Sequence, residues 1–434
     1  MTISSDVMET PSPYVDGEWR RSGATFPIVN PATGDRIAMG ASATVADAED
    51  AVAAARNAFQ KHRGATSAER AEWCLSAANA VSAAADLLAS ELSREHGKPL
   101  AEARGEVAFA VLGWRAAAHQ VLATPDTIPQ VADVRKRVLV RRRPRGVWAV
   151  FTPWNFPVNI PVEYLGPAVA TGNAAVWKPA PSTSRIASLF FEVLRSSSIP
   201  EGLLQLLVTQ DVDVASHLST HPGVDAIGFT GGSATGRGIE ASTPHKHHLM
   251  ELGGNTAVLV HSDADLGKAA PAIARASFWN GGQVCSAAGK ILAPRTIAAR
   301  LAEAVAAEAS RVVVGDPFDP DTTMGPQHLR SGIDRVQGLV DDAVNRGARV
   351  LAGGQPLRGP GTYYPPTVLA DVPVEAAVFQ EETFGPVAAI TAVDSDEDLV
   401  GAANAGSYGL CAAVFTRSLE RAFSTSEAVE AGLV

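Results

Sequence analysis

Gly146-Val147-Trp148-Ala149-Val150-Phe151-Thr152-Pro153-Trp154-Asn155-Phe156-Pro157 is the stretch that decides the fold. Val147 to Phe151 is apolar without alternation, which is the mark of a strand buried on both faces. Pro153 and Pro157 then bracket a short loop of restricted backbone. Val162 to Ala170 follows with helical spacing of its apolar residues. The alternation continues with Ala174 to Trp177 as strand, Thr183 to Arg195 as helix and Leu203 to Val208 as strand. Val212 to Ser219 then reads as helix and Val224 to Phe229 as strand. Strands and helices of these lengths in alternation predict right-handed βαβ units and a mainly parallel sheet. Such a sheet takes its ligands at the carboxyl ends of the strands. The chemically distinctive segments fall there: Thr152 to Pro157, Lys178-Pro179-Ala180 and Thr230-Gly231-Gly232.

Upstream, residues 1 to about 13 read as a loose tail, polar and acidic, without the basic-then-apolar layout of a signal peptide. Asn30-Pro31-Ala32-Thr33-Gly34 is a turn signal between short extended runs. Ala46 to Phe59 and Ala68 to Glu95 are predicted as helices, the second stopped by Gly97-Lys98-Pro99, and a third covers about Ala101 to Leu122. Arg137 to Arg145 is strongly basic and reads as a solvated or partner-facing strand. Downstream, a second α/β unit starts near Gly254. Its strands are Thr256 to Val260, Lys290 to Ala293, Val387 to Val393 and Cys411 to Phe415. Its helices are Leu266 to Phe278, about Thr296 to Ser310 and Gly332 to Asn345.

A chain of 434 residues exceeds one hydrophobic core and predicts two or three domains. With 46% apolar and 19% charged residues it has the composition of a globular enzyme. A net charge of -10 argues against nucleic-acid binding by bulk electrostatics. No apolar run reaches the roughly 18 residues of a membrane span. Cys74, Cys285 and Cys411 are sparse and lack Cys-x-x-Cys spacing. They predict a reducing compartment, the cytoplasm, and neither a disulfide framework nor a zinc site. His245, His247 and His248 cluster just before a strand, in an expected surface loop without a matching carboxylate, so no metal site is read there.

Cys285 carries the chemistry. A thiolate attacks carbonyl carbon readily. Although a lone cysteine is more often buried and inert, Gly281, Gly282, Ser286, Ala287, Ala288 and Gly289 leave this sulfur approachable from two sides. Glu251 ends a strand, before Leu252-Gly253-Gly254. A carboxylate there, if partly desolvated, serves as a base. Asn155 is fixed between two prolines. Gly231 to Gly236 opens a helix whose N–H groups and dipole suit a pyrophosphate.

In order and approximate spacing, these segments, with Tyr14-Val15-Asp16-Gly17-Glu18-Trp19 and Glu381-Glu382-Thr383-Phe384-Gly385-Pro386-Val387, resemble the NAD(P)-dependent aldehyde dehydrogenase superfamily. The resemblance runs from Tyr14 to the last residue. It implies an α/β, aldehyde-dehydrogenase-like fold: two Rossmann-type parallel-sheet domains plus a small oligomerisation strand region. Residues 14–123 and 144–253 would bind NAD(P), 254–434 would be catalytic, and 124–143 would be the oligomerisation segment. It further implies oxidation of an aldehyde to a carboxylic acid with NAD or NADP. Cys285 would form a thiohemiacetal and then a thioester, which water activated by Glu251 hydrolyses. Asn155 and the Cys285 N–H would form the oxyanion hole, where loss of one donor typically costs about 2.7–4 kcal/mol.

The cofactor residues implied are Lys178 at the adenosine ribose or its 2′-phosphate, Glu382 at the nicotinamide ribose, and Phe384 at the nicotinamide. Thr152, Pro153, Trp154, Pro181, Ser182, Gly231, Gly232, Gly236 and Leu252 complete that set. Ile160, Glu163, Val284 and Ser286 line the implied substrate pocket. The partners implied are a small aldehyde and a second copy of the chain, as homodimer or homotetramer, with no nucleic acid or membrane.

Four departures shape the expectations. Pro181 stands where NAD-preferring relatives carry a Glu, which predicts use of both NAD and NADP. Gly232 replaces a frequent Ser, and Asn255 replaces a frequent Lys and is similar to the semialdehyde branch. Glu163 stands where succinate-semialdehyde relatives carry an Arg, which predicts a neutral or cationic aldehyde. The resemblance also implies a C-terminal stretch that closes the substrate mouth and supplies a strand to a partner, whereas this chain ends at Ala431-Gly432-Leu433-Val434. It is therefore expected to be a C-terminally short member. The alternatives are a succinate-semialdehyde dehydrogenase and a truncated cofactor-binding protein with little activity. A serine hydrolase is disfavoured, because no Gly-x-Ser-x-Gly sits at a strand-to-helix turn.

Overall fold

The computed structural model describes residues 5–21 and 23–434. Two compact units emerge. The first comprises Met1–Val29, Arg36–Glu95 and Ala103–Glu251, and the second Asn30–Asp35, His96–Glu102 and Leu252–Val434.

The elements up to residue 251 are α1 (Ser5–Glu9), β1 (Tyr14–Val15), β2 (Glu18–Trp19), β3 (Thr25–Val29), β4 (Arg36–Ala41), α2 (Val45–His62), α3 (Ser67–Ala83), α4 (Ala85–His96) and α5 (Leu100–Leu122). The βα repeats follow as β5 (Val147–Phe151), α6 (Asn159–Ala170), β6 (Ala174–Lys178), α7 (Ser184–Arg195), β7 (Leu204–Leu206), α8 (Val212–Thr220), β8 (Ala226–Thr230), α9 (Ser233–Ser242) and β9 (His247–Glu251). They form a seven-stranded sheet in the order β2-β1-β7-β6-β5-β8-β9. The pairings from β7 to β9 are all parallel, and β1 joins β7 antiparallel. The chain enters at β5, steps outward through β6 and β7, then returns to the other side of β5 for β8 and β9. The order thus reverses between β5 and β8, where parallel sheets open a crevice for ligands. Trp177, Phe190, Phe191 and Trp114 are among the largest fully buried side chains.

Helix ends in this unit are satisfied in two ways. α2 and α3 begin with capping boxes, Thr44 with Asp47 and Thr66 with Glu69, each side-chain cap worth about 1 kcal/mol. α6 and α7 have no side-chain cap of their own. Instead Glu106 accepts from the N–H groups of Val158 (2.8 Å) and Asn159 (3.1 Å). Glu95 accepts likewise from Arg185 (2.9 Å) and Ile186 (2.6 Å). Burial pushes the Glu95 carboxyl up to about 8 despite these bonds.

From residue 252 the elements are β10 (Thr256–Val260), α10 (Leu266–Phe278), β11 (Ala288–Pro294), α11 (Arg295–Ala309), α12 (Arg330–Asn345), β12 (Arg349–Ala352), β13 (Thr367–Ala370), α13 (Ala377–Gln380), β14 (Val387–Val393), α14 (Asp398–Asn404), β15 (Ala412–Phe415) and α15 (Leu419–Ala428). The sheet runs β12-β13-β14-β11-β10-β15, parallel except for the edge strand β12. Successive residues serve opposite faces. Leu259, Leu292 and Ala389 join Val336, Leu339 and Phe379 on one face. Val258, Ile291 and Ile390 join Ile273, Leu301 and Val305 on the other. Two covered faces explain why β10, β11 and β13 are buried throughout.

Several expectations need correction. The helix expected over Ala68 to Glu95 is two helices, because Ala84 leaves helical geometry (φ -101°, ψ 10°). No breaker residue marks that point. The tail is partly structured: Ser5–Glu9 is helical, Val7 is buried and Arg185 Nε donates to the Met8 carbonyl (3.1 Å); its residues 1–4 lie outside the described residues. The strand expected within Arg137 to Arg145 is reduced to an isolated antiparallel bridge, Thr127 to Val140. A two-stranded pairing without further neighbours has too little support to extend. His247 and His248 lie within β9, not before it. Edge strands tolerate polar residues, and parallel pairing to β8 sets the register. Among the described residues no helix is long and apolar enough to cross a membrane.

Candidate active site

In the first unit the expected residues gather along one sheet edge. Phe151 is in register with both Lys178 and Phe229, and Thr230 with Glu251. Neighbouring strands therefore deliver Thr152, Lys178, Gly231 and Glu251 to the same carboxyl edge. Trp177 Nε1 donates to Thr152 Oγ1 (2.8 Å), and Thr152 N–H donates to the Lys178 carbonyl (3.2 Å). These bonds fix the start of the Pro153–Trp154–Asn155 loop, and Glu106 fixes its end at the head of α6. Asn155 is buried between these anchors.

The residues expected to hold the cofactor fit an anionic ligand. Lys178 closes β6, and burial pushes its ammonium down to about 8. A neighbouring phosphate would raise it again. Gly232, the N-cap of α9, makes no side-chain cap bond, so the first N–H groups of that helix face no side-chain cap. Pro181 and Ser182 open a single 3-10 turn before α7. Gly236 is buried within α9.

α6 carries the expected pocket residues Ile160 and Glu163. Ile160 is buried. Glu163 accepts from Asn159 Nδ2 (2.9 Å). Desolvation raises its carboxyl above the usual range, with a further push from the Glu251 charge. Beside it, Tyr164 shares a hydrogen bond with Thr230 (2.7 Å), joining α6 to the end of β8. Glu251 itself is solvent-exposed, so the partial desolvation expected there is absent from this structure.

In the second unit the site residues lie at the amino ends of the strands, the opposite edge from the first. Cys285, Val284 and Ser286 precede β11, Glu382 and Phe384 precede β14, and Leu252 precedes β10. Cys285 is half-buried, Val284 buried and Ser286 exposed. The turn before Cys285 is wound tightly, with Asn280, Gly281 and Gly282 all at positive φ (52°, 63° and 70°). A Cβ on Gly282 would meet the Gly385 carbonyl oxygen at 2.0 Å, so the nucleophile turn packs directly on the Phe384–Pro386 turn. Phe384 is also at positive φ (53°), a conformation costing a non-glycine residue roughly 1–3 kcal/mol.

Glu382 accepts from the Gly254 N–H (3.1 Å), and its other oxygen lies where a Cβ on Gly253 would be (2.5 Å). Arg335 on α12 donates to the Glu382 carbonyl (2.8 Å) and pairs with Glu381 (3.1 Å). Burial nevertheless holds the Glu382 carboxyl above its usual range. Arg335, Glu106 and Tyr164 were not legible as site residues, since their roles depend on packing partners distant in the chain.

Burial, then the Glu382 charge and then Cys411, push the Cys285 thiol up to about 11. At neutral pH the resting group is therefore the thiol. Thiolate increases as pH rises, so alkylation of Cys285 by iodoacetamide in the cofactor-free chain should climb about tenfold per pH unit up to roughly pH 10. A rate that levels off below about pH 8 would contradict this environment.

Comparison with known proteins gives a consistent outcome. The model of the aldehyde dehydrogenase family matches residues 19–434. The chain is 36% identical to 3-sulfolactaldehyde dehydrogenase of Pseudomonas putida, over 97% of this chain and 87% of that protein. It is 35% identical to the NADP(+) succinate-semialdehyde dehydrogenase of Escherichia coli strain K12, over 97% and 88%. The NAD+ complex structure of an aldehyde dehydrogenase from Bacillus cereus superimposes with a TM-score of 0.95 at 29% identity, covering 99% of this chain and 89% of that one. A thiol flanked by glycines, a parallel-sheet edge suited to a phosphate-bearing ligand and a family match over nearly the whole chain agree: the protein belongs to the aldehyde dehydrogenase family and oxidises an aldehyde to a carboxylic acid with NAD or NADP.

Proposed function

We propose that Cys285, Asn155 and Glu251 carry out this oxidation on a neutral or cationic aldehyde. The Cys285 sulfur bonds to the carbonyl carbon as its proton is lost, giving a thiohemiacetal oxyanion that the Asn155 amide and the Cys285 N–H stabilise. NAD(P)+, when bound, supplies the hydride acceptor. Collapse of the oxyanion expels hydride and leaves a thioester on Cys285. Glu251 takes a proton from water, which attacks the thioester, and the acid departs as Cys285 is regenerated. Lys178, the N–H groups that open α9, Glu382 and Phe384 hold the cofactor. In this reading residues 14–123 and 144–253 bind the cofactor and 254–434 carry the nucleophile.

The substrate class rests on Glu163 of α6, whose carboxyl is raised by desolvation and, to a lesser degree, by the charge of Glu251 at the end of β9. Two carboxylates that sense each other disfavour a third on the substrate. A panel of acidic, neutral and basic aldehydes tests this: kcat/KM should be at least about tenfold lower for succinate semialdehyde than for an uncharged aldehyde of equal length. Glu163→Arg should raise the succinate semialdehyde value by about 10-fold or more, each factor of ten being about 1.4 kcal/mol. Strong preference of the unaltered chain for the acidic substrate favours the second reading, a succinate-semialdehyde dehydrogenase, which the Escherichia coli relative supports.

Both cofactors are accepted in this proposal. Pro181 brings no carboxylate to repel a 2′-phosphate, and Lys178 attracts one. Efficiencies with NAD and NADP should agree within about tenfold, or roughly 1.4 kcal/mol, and a larger NAD bias would refute dual use. The exposed Ile128 (68%), Val134 (82%) and Leu139 (69%) support 124–143 as the surface that meets a second copy of the chain. The sparse cysteines Cys74, Cys285 and Cys411, without Cys-x-x-Cys spacing, support the cytoplasm.

A further inference from the structure

α2 and α8, in the first unit, bring three metal-ligating side chains together away from the residues above. His217 Nε2 lies 2.6 Å from Glu49 Oε1, and His221 Nε2 lies 2.9 Å from Glu49 Oε2. The two imidazoles meet edge to face, with centroids 5.7 Å apart. One ligand atom from each of the three residues falls within 4.8 Å of the others. We propose that Glu49, His217 and His221 bind one divalent transition-metal ion of the zinc type, which ties α2 to α8.

The donor set argues for that class of ion. Two imidazole nitrogens and one carboxylate suit zinc and its borderline neighbours, whereas calcium and magnesium require oxygen ligands. His217 lies in the last turn of α8, and His221, four positions on, is its C-cap. Ligands about 2.0–2.2 Å from a tetrahedral ion stand roughly 3.3 Å from each other. From 2.6 and 2.9 Å the two Glu49–histidine separations must open by about 0.7 and 0.4 Å, and the Glu49 side chain, 52% exposed, has room to swing. Water completes the fourth position.

One feature works against binding. The Gly223 N–H donates to His221 Nδ1 (2.8 Å), which places the ring proton on Nε2 and aims it at Glu49. An ion at Nε2 shifts that proton to Nδ1 and forfeits the Gly223 bond, at the expense of some affinity. The constellation escapes a reading of sequence spacing because Glu49 lies 168 and 172 positions from its partners.

The test uses the full chain without a histidine tag, in a Cys285→Ala background so that the active-site thiol is not a competing ligand. Zn2+ is titrated by calorimetry and Co2+ by its visible absorption. The expected result is one equivalent per chain at micromolar ion, and a melting temperature raised by about 5 °C at 100 times the dissociation constant. His217→Ala and His221→Ala should each weaken binding at least 100-fold, and Mg2+ should not compete. Glu49→Gln keeps the side-chain shape and serves if an alanine variant fails to fold. Absence of binding at ~100 µM Zn2+, or binding that survives all three substitutions, overturns the proposal.

Discussion

Cys285→Ala should abolish NAD(P)H formation, lowering kcat by about 10^4-fold or more, while NAD(P)+ still raises the melting temperature. The two halves of this expectation have separate physical origins. In the proposed mechanism alanine removes the sulfur that bonds to the substrate carbon, so no thiohemiacetal forms and no hydride is released. In the proposed reading cofactor contacts come from elsewhere: Lys178 at the end of β6, the N–H groups that open α9 and the Glu382 turn. The substitution should also leave the fold intact. Cys285 is only half-buried, and its turn is set by the backbone of Asn280 to Gly282 packing on Gly385, not by the sulfur. Residual turnover within tenfold of the unaltered chain would mean that another group does the chemistry. The same loss accompanied by loss of NAD(P)+ binding would point to collapse of the turn.

Glu251→Gln should separate the two halves of the reaction. Amide replaces carboxylate at nearly constant shape and removes the base, so thioester hydrolysis should slow by about 10^2–10^4-fold. Hydride transfer precedes that step. The variant should therefore release close to one NAD(P)H per chain in a rapid burst and then nearly stop. Exposure of Glu251 at the end of β9 gives its carboxylate direct access to water, as a hydrolytic base requires. If Glu251 also helps to deprotonate Cys285, the burst itself slows, because the thiol sits well above neutral pH. A steady-state rate equal to that of the unaltered chain would remove Glu251 from the mechanism.

The first sheet was largely legible because its strands are continuous apolar runs separated by well-signalled turns. Val147–Phe151 forms over the residues that the pattern marks, as does helix α10 (Leu266–Phe278) of the second unit. The start of β9 was misplaced, since His247 and His248 at a half-exposed edge carry no apolar signature. The break at Ala84 was missed for the opposite reason: an alanine-rich stretch favours helix on both sides. Tertiary relations were not legible at all. Asn30–Asp35 and His96–Glu102 belong with the second unit, although nothing in their composition separates them from the first.

The candidate site divides in the same way. Cys285, Glu251, Asn155 and Glu382 stand out as candidates because each sits in a short segment of unusual composition. What tunes them does not. The Cys285 thiol is raised by burial, Glu382 and Cys411, and the Asn155 loop is pinned through Glu106, 52 positions from Val158. Such effects arise from partners that only folding brings close. The solvent exposure of Glu251 is likewise a property of packing.

The most direct test is the intact mass of the Glu251→Gln chain, quenched during the burst with aldehyde and NAD(P)+ and mapped by peptide. The account predicts an increase equal to the acyl group of the substrate, located on Cys285 and released by hydroxylamine. NAD(P)H accumulating while Cys285 remains unmodified would contradict a covalent thioester.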